Sequence, residues 1–165
     1  MPSPLLHWLW NMTDFFSCTM LHFNKGIESK IASLLIYHQL TEEILALLFR
    51  FCDLVVRGSL YPIQLNEPKP KKHRDFAKNL EMLKASIEFK DKSKLVSAAK
   101  QLNQKRNRIA HRLVTEFKEF DIGEELNEVN ELFEKIFGYQ TEGLNWFYSQ
   151  INRIKEREEI KKLLD

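Results

Sequence analysis

The sequence is poor in the residues that build disulfide scaffolds and turn-rich folds. Among 165 residues there are only two cysteines, five glycines and five prolines. Two cysteines are too few for a disulfide framework, and scarce glycine and proline argue against a disordered chain or an all-β fold. The length suits one domain whose core needs no disulfide or metal to stabilise it. We therefore expect a single domain over residues 1–165.

Long apolar runs and targeting signals are also missing. Residues 1–24 contain no Lys or Arg, so the basic region of a secretory signal peptide is lacking. Polar side chains interrupt the same segment too often for a membrane span, namely His7, Asn11, Thr13, Asp14 and Ser17. These absences predict a cytoplasmic protein with no membrane partner.

Residues 1–23 instead show the pattern of an amphipathic helix that extends the domain at its N-terminus. Ser3 and Pro4 suit an N-cap and a first helical turn. Apolar residues then recur every three or four positions, at Leu5, Leu6, Leu9, Met12, Phe16 and Met20. This helix is expected to pack on the body or on a second subunit. A membrane-surface anchor is disfavoured, because its polar face lacks cations.

The rest of the chain, 24–164, has helical periodicity and no sustained alternation of period two. Asp75 can cap a helix, and Gly58 and Gly138 are candidate helix terminators. The sequence therefore predicts an all-α fold, an antiparallel helical bundle of four to five helices. The apolar stripes run over 27–55, 76–87, 95–113, 126–136 and 144–154.

The formal net charge of +2 hides a segregated distribution. Residues 66–112 hold 14 Lys or Arg against 5 Asp or Glu, whereas 116–134 hold eight acids and one base. Such a chain can present a positive surface to a polyanion, or each block can be a solvated helix face. Within the basic block, Lys71, Lys72 and Arg74 form a run that is either an exposed loop or a contact to the phosphate backbone of RNA.

One cation breaks the apolar stripe of the third predicted helix. The stripe contains Leu95, Ala99, Leu102, Ile109 and Leu113, but the position between Leu102 and Ile109 is Arg106. A buried charge is costly unless it is paired, so Arg106 is expected to reach the edge of the helix or to face a polar cleft.

The residues around Arg106 form a polar group on one side of that helix. At about 100° per residue, His111 lies about 140° from Arg106 and about 40° from Asn107. These three side chains can therefore meet a shared ligand. Lys105, Arg108 and Arg112 add an adjacent basic ridge.

The sequence Arg106-Asn107-Arg108-Ile109-Ala110-His111 resembles the Arg-x4–6-His signature of the HEPN superfamily. That superfamily consists of small all-α domains, and many members are metal-independent endoribonucleases that act as toxins, in defence or in RNA processing. The architectural resemblance covers about residues 24–164. It implies an active cleft at the interface of a homodimer, and a possible antitoxin or other protein partner. In HepT-like toxins a modified Tyr lies two residues after the His, and Leu113 here disfavours that form of regulation.

Metal-free RNA cleavage assigns a role to each residue of the motif. The imidazole of His111 is the side-chain type suited to proton transfer near neutral pH, and the Arg106 guanidinium suits the non-bridging phosphate oxygens. Asn107 can orient either group, while Lys105, Arg108 and Arg112 would hold flanking phosphates. No cofactor motif is present. The alternatives are a non-catalytic HEPN-like module that binds RNA, a nucleotide or a protein partner, and a bundle with a purely structural role.

Two further groups have simpler interpretations. His38 and Glu42 share a helix face and either belong to a metal site or make a hydrogen bond at the edge of the core, and the absence of a third ligand favours the hydrogen bond. Cys18 and Cys52 are expected to be buried thiols.

Overall fold

The computed structural model describes residues 26–63, 65, 75–115, 122–157 and 160–162. Within them the chain forms α1 (Ile27–Leu60), α2 (Phe76–Ala85), α3 (Lys92–Thr115) and α4 (Ile122–Lys155), and no strand. The predicted all-α bundle is confirmed. The predicted helix over 1–23, Cys18 and the basic run of Lys71, Lys72 and Arg74 lie outside the described residues.

One predicted helix end is wrong, because α4 is one helix of 34 residues that continues through Gly138. Helix α1 ends at Leu60, close to the predicted terminator Gly58. A helical glycine costs about 1 kcal/mol relative to alanine. The apolar stripe of α4 is buried on both sides of Gly138, and its packing outweighs that cost. The buried members of this stripe are Leu126, Val129, Phe133, Ile136, Leu144 and Phe147.

The core forms where α4 packs against both α1 and α3. Tyr37 lies 4.9 Å from Phe133 and Phe51 lies 5.5 Å from Phe147, measured between ring centroids, so α1 and α4 run in the same direction. Helix α3 runs antiparallel to α4, and its buried stripe consists of Leu95, Ala98, Ala99, Leu102 and Ile109. This arrangement places the second half of α3 beside the first turns of α4.

The turn between α2 and α3 is closed by a buried lysine. The Lys92 side chain is only 4% exposed, and its Nζ donates to the carbonyl oxygens of Lys84 at 2.9 Å and Ser86 at 2.8 Å. Its third contact is the carboxylate of Glu88 at 3.2 Å. A cation that satisfies the carbonyls at the end of α2 fixes the start of α3.

The start of α2 also follows its sequence. Asp75 caps the helix as predicted, because its Oδ1 accepts from the Lys78 backbone N at 2.8 Å. None of the helices in the described ranges combines the length and apolarity that a membrane crossing requires.

Candidate functional site

Arg106 reaches the edge of the core, as its position predicts. It is half-buried on α3 between Leu102 and Ile109, which are both fully buried. Its Nη1 donates to Asn107 Oδ1 at 2.9 Å. The guanidinium is thereby held beside Asn107, and no carboxylate in the described part of the chain pairs with it.

His111 lies one helical turn beyond Asn107 and is exposed, as is Asn107 itself. The backbone carbonyl of His111 accepts from Thr115 Oγ1 at 3.1 Å. Its imidazole makes no hydrogen bond to any described residue. The structure therefore joins Arg106 to Asn107, and leaves the His111 ring open to solvent on the side of α3 where Asn107 lies.

The three other predicted RNA-binding residues of α3 are all engaged in ion pairs with α4. Arg108 pairs with Glu125 and Lys105 with Glu128, while Arg112 Nη1 lies 3.5 Å from Glu125 Oε1. Glu125 lies in the first turn of α4 with a side chain that is 14% exposed, where a carboxylate also interacts favourably with the helix dipole. Part of the positive charge of α3 is thus neutralised by carboxylates of the same chain.

The sequence contained one signal for this neutralisation. The acidic block over 116–134 directly follows the basic helix, and two helices joined by a short connection pack antiparallel. Which carboxylates meet which cations depends on the register between the helices, and the sequence does not specify that register.

A second polar group lies on the α1 side of Arg106. His38 Nε2 donates to Asn103 Oδ1 at 3.0 Å, and its ring stacks on Phe76 with centroids 4.8 Å apart. Burial lowers the pKa of His38, and the nearby Arg106 also lowers it, whereas the hydrogen bond that His38 donates to Asn103 raises it. The hydrogen-bond interpretation of His38 is confirmed.

Asn103 is the member of this group that sequence reasoning missed. It precedes Arg106 by three residues, a spacing that places two side chains near each other on a helix. Glu42, the other residue considered for a metal site, has its pKa raised by burial and by the acids Glu43 and Asp75. Among the described residues no group of three or more His, Cys, Asp or Glu side chains is placed to hold a metal ion. Cys52 is buried, as predicted, and burial raises the pKa of its thiol.

Comparisons of the chain with protein-family models, with curated proteins and with solved structures find no match.

Proposed function

We propose that this protein is a metal-independent endoribonuclease of HEPN type that acts as a cytoplasmic homodimer, in the role of a toxin or a defence component. The observation that carries the proposal is the hydrogen bond between Arg106 and Asn107 beside the open ring of His111. A phosphate-binding cation, an orienting amide and a proton-transfer group then occur within two turns of one helix.

The chemistry divides between these three residues. His111 removes the proton from a ribose 2′-hydroxyl, and the resulting oxygen attacks the adjacent phosphorus. The 2′-oxygen–phosphorus bond forms as the bond to the 5′-oxygen breaks, which leaves a 2′,3′-cyclic phosphate and a 5′-hydroxyl. Arg106 binds the non-bridging oxygens, whose negative charge grows in the transition state. Asn107 holds the guanidinium in position for that contact.

A homodimer supplies the second proton-transfer group. One chain presents one His111, whereas the leaving 5′-oxygen needs a proton at the same time as the 2′-hydroxyl loses one. Two copies related by a two-fold axis bring two His111 rings to one phosphate, one as base and one as acid.

The test is RNA cleavage by the full chain in EDTA. We expect the parent to cut end-labelled single-stranded RNA or transfer RNA, and His111→Ala to lose about 10²–10⁴-fold in rate. Arg106→Ala should lose a similar factor, and Asn107→Ala less. Lys155→Ala, an exposed lysine at the other end of α4, is the matched control for loss of one positive charge and should cleave like the parent. Intact RNA with the parent dimer would reject catalysis.

The second candidate is a non-catalytic HEPN-like module that binds RNA, a nucleotide or a protein partner. The ion pairs of Arg108 and Arg112 with Glu125 favour the form of this candidate that binds a protein partner, because they reduce the positive charge available to any polyanion. This candidate predicts salt-sensitive RNA binding without turnover, or no RNA binding and capture of a protein partner instead.

A further inference from the structure

Helix α3 is an acid-free helix in a chain that is otherwise rich in acids. Its 24 residues include seven Lys or Arg and no Asp or Glu. Five of the seven pair with carboxylates of neighbouring segments, namely Lys92, Lys94, Lys105, Arg108 and Arg112. Lys100 has no partner among the described residues, and Arg106 bonds only to the neutral amide of Asn107. Counting only the described residues, positive charge without a partner carboxylate therefore remains along α3.

One strip of α3 is exposed along nearly the whole helix. Its members follow one another at intervals of four and three residues, so they lie on one side. We name this the α3 strip, and it consists of Ser93, Ser97, Lys100, Gln104, Asn107 and His111. Ser93 and His111 are five full turns apart, so their side chains project in the same direction about 27 Å from each other. The strip therefore leads to the proposed proton-transfer group through polar residues without a carboxylate.

The first half of the α3 strip borders a groove between α3 and α4. This groove has a volume of about 460 Å³, and its lining includes Ser93, Lys94, Ser97, Lys135 and Tyr139. Lys135 is exposed and has no partner in the described ranges. Tyr139 is partly exposed, with Lys94 Nζ 5.9 Å from its ring centroid. Cations, hydroxyls and an aromatic ring along one groove are the features with which proteins bind single-stranded nucleic acid.

We propose that the α3 strip and this groove together form a track that binds one RNA strand and guides it to His111. Lys100 and Lys135 contact its phosphates, and Tyr139 stacks on one of its bases. The inference rests on the proposed function and adds the surface of this chain that holds the single-stranded RNA. A base that stacks on Tyr139 must be unpaired, and recognition of an RNA duplex instead spans two minor grooves of the double helix. A track of this length suits on the order of four nucleotides, the lower end for single-strand binding modules.

The strip residues other than Asn107 and His111 bind the substrate and do not take part in the chemistry. Lys100 lies about 16 Å along α3 from His111, too far to contact the reacting phosphate. Its loss should raise KM and leave kcat unchanged, whereas loss of His111 should lower kcat.

Binding by the full chain in the His111→Ala background tests the track without cleavage. The probes are a fluorescein-labelled oligouridine and the same strand paired with oligoadenosine, followed by anisotropy at about 50–200 mM salt. Lys100→Ala with Lys135→Ala should reduce the slope of log affinity against log salt by about 1.4, because each phosphate contact on a single strand contributes about 0.7. Tyr139→Leu should weaken binding about 5- to 150-fold, and Tyr139→Phe should restore it.

The matched control is Lys78→Ala with Lys155→Ala, which removes the same charge from exposed positions on α2 and α4. This variant should keep the parent slope, and circular dichroism should show equal helicity for all variants. An equal slope for the Lys100/Lys135 variant and its control would overturn the track, and so would tighter binding of the duplex or no RNA binding. Strip-dependent binding by a parent chain that does not cleave RNA would support the track and reject the nuclease. Cleavage unaffected by the Lys100/Lys135 changes would support the nuclease and reject the track.

Discussion

The two ends of α3 use their cations in opposite ways. At the N-terminal end Lys92 is buried, and two backbone carbonyls and one carboxylate accept from its ammonium group. At the C-terminal end Arg106 is half-buried and donates to one amide oxygen, beside the exposed Asn107 and His111. A cation whose donors are used within the fold is structural, whereas one with spare donors at an open surface can bind a ligand.

The carboxylates at the two ends differ as well. Glu88 has an 84% exposed side chain and contributes one contact to Lys92. Glu125 is mostly buried and interacts with three cations of α3, namely Lys105, Arg108 and Arg112. At the C-terminal end of α3, Glu125 therefore neutralises cations that would otherwise be available to a ligand, and loss of its charge would make them available.

The largest expected effect is a loss of stability at the N-terminal end of α3, which we call the structural end. Lys92→Met keeps the length of the side chain but leaves the carbonyls of Lys84 and Ser86 without their donor, and we expect a loss of about 3 kcal/mol in the free energy of unfolding. Lys94→Met, two residues later, removes the ion pair between an exposed lysine and Asp91 and should cost much less. Urea denaturation measures both. Equal losses would mean that Lys92 has no special role.

Charge release is the corresponding test at the C-terminal end. Glu125→Gln should free two or three cations, strengthen RNA binding and increase the salt slope by about 1.4–2. Glu131→Gln makes the same charge change at an exposed position of α4 and should have a much smaller effect. A similar gain from both variants would show that only the net charge matters, and that the ion pairs of Glu125 do not withhold its partners.

Two glycines of α4 test how tightly the structural end is packed. A Cβ at Gly143 would lie 3.1 Å from Phe89 Cε2, and the Phe89 ring, just before α3, packs against Phe147. We expect Gly143→Ala to destabilise the fold by about 1 kcal/mol. Gly138→Ala meets no atom within 4 Å and should stabilise it by about 0.5–1 kcal/mol. Thermal unfolding of both variants decides, and a stabilised Gly143→Ala would show that Phe89 moves freely.

The smallest effect is a pH dependence that arises from His38, on the α1 side of Arg106. Because the pKa of His38 is lowered below 6.5 in the folded chain, the unfolded chain binds an extra proton as the pH falls through 6.5. The free energy of unfolding should then decrease, by at most about 1.4 kcal/mol per pH unit for one proton. His38→Gln should remove this component. Asn103→Leu should retain the pH-dependent component, because this substitution removes the hydrogen bond that favours the charged imidazole of His38. Identical pH profiles for parent and His38→Gln would contradict the assignment.

Much of the fold could be predicted from periodicity, because burial of one face determines which residues recur. Leu95, Ala99, Leu102 and Ile109 were predicted on one stripe and all are fully buried. The position of Arg106 in that stripe also predicted its partial burial and its polar contact. The glycine terminator failed at Gly138, since a local preference of about 1 kcal/mol is weaker than packing over several turns.

The candidate site was only partly predictable, because its contacts join distant segments. The sequence indicated Arg106, Asn107 and His111 as neighbours on one helix. It did not indicate that Asn103 links α3 to His38 on α1, or that Glu125 neutralises the basic ridge. Both depend on how far α1 and α4 are shifted along α3, which is decided by side-chain packing over the whole core.

The ends of the RNA products show whether His111 catalyses cleavage through the ribose 2′-hydroxyl. Single-stranded RNA incubated in EDTA with the parent chain and with His111→Ala, purified in parallel, is analysed by mass spectrometry. We expect fragments that end in a 2′,3′-cyclic phosphate and begin with a 5′-hydroxyl, with the parent alone. Intact RNA with the parent, or the same fragments with His111→Ala, would contradict it.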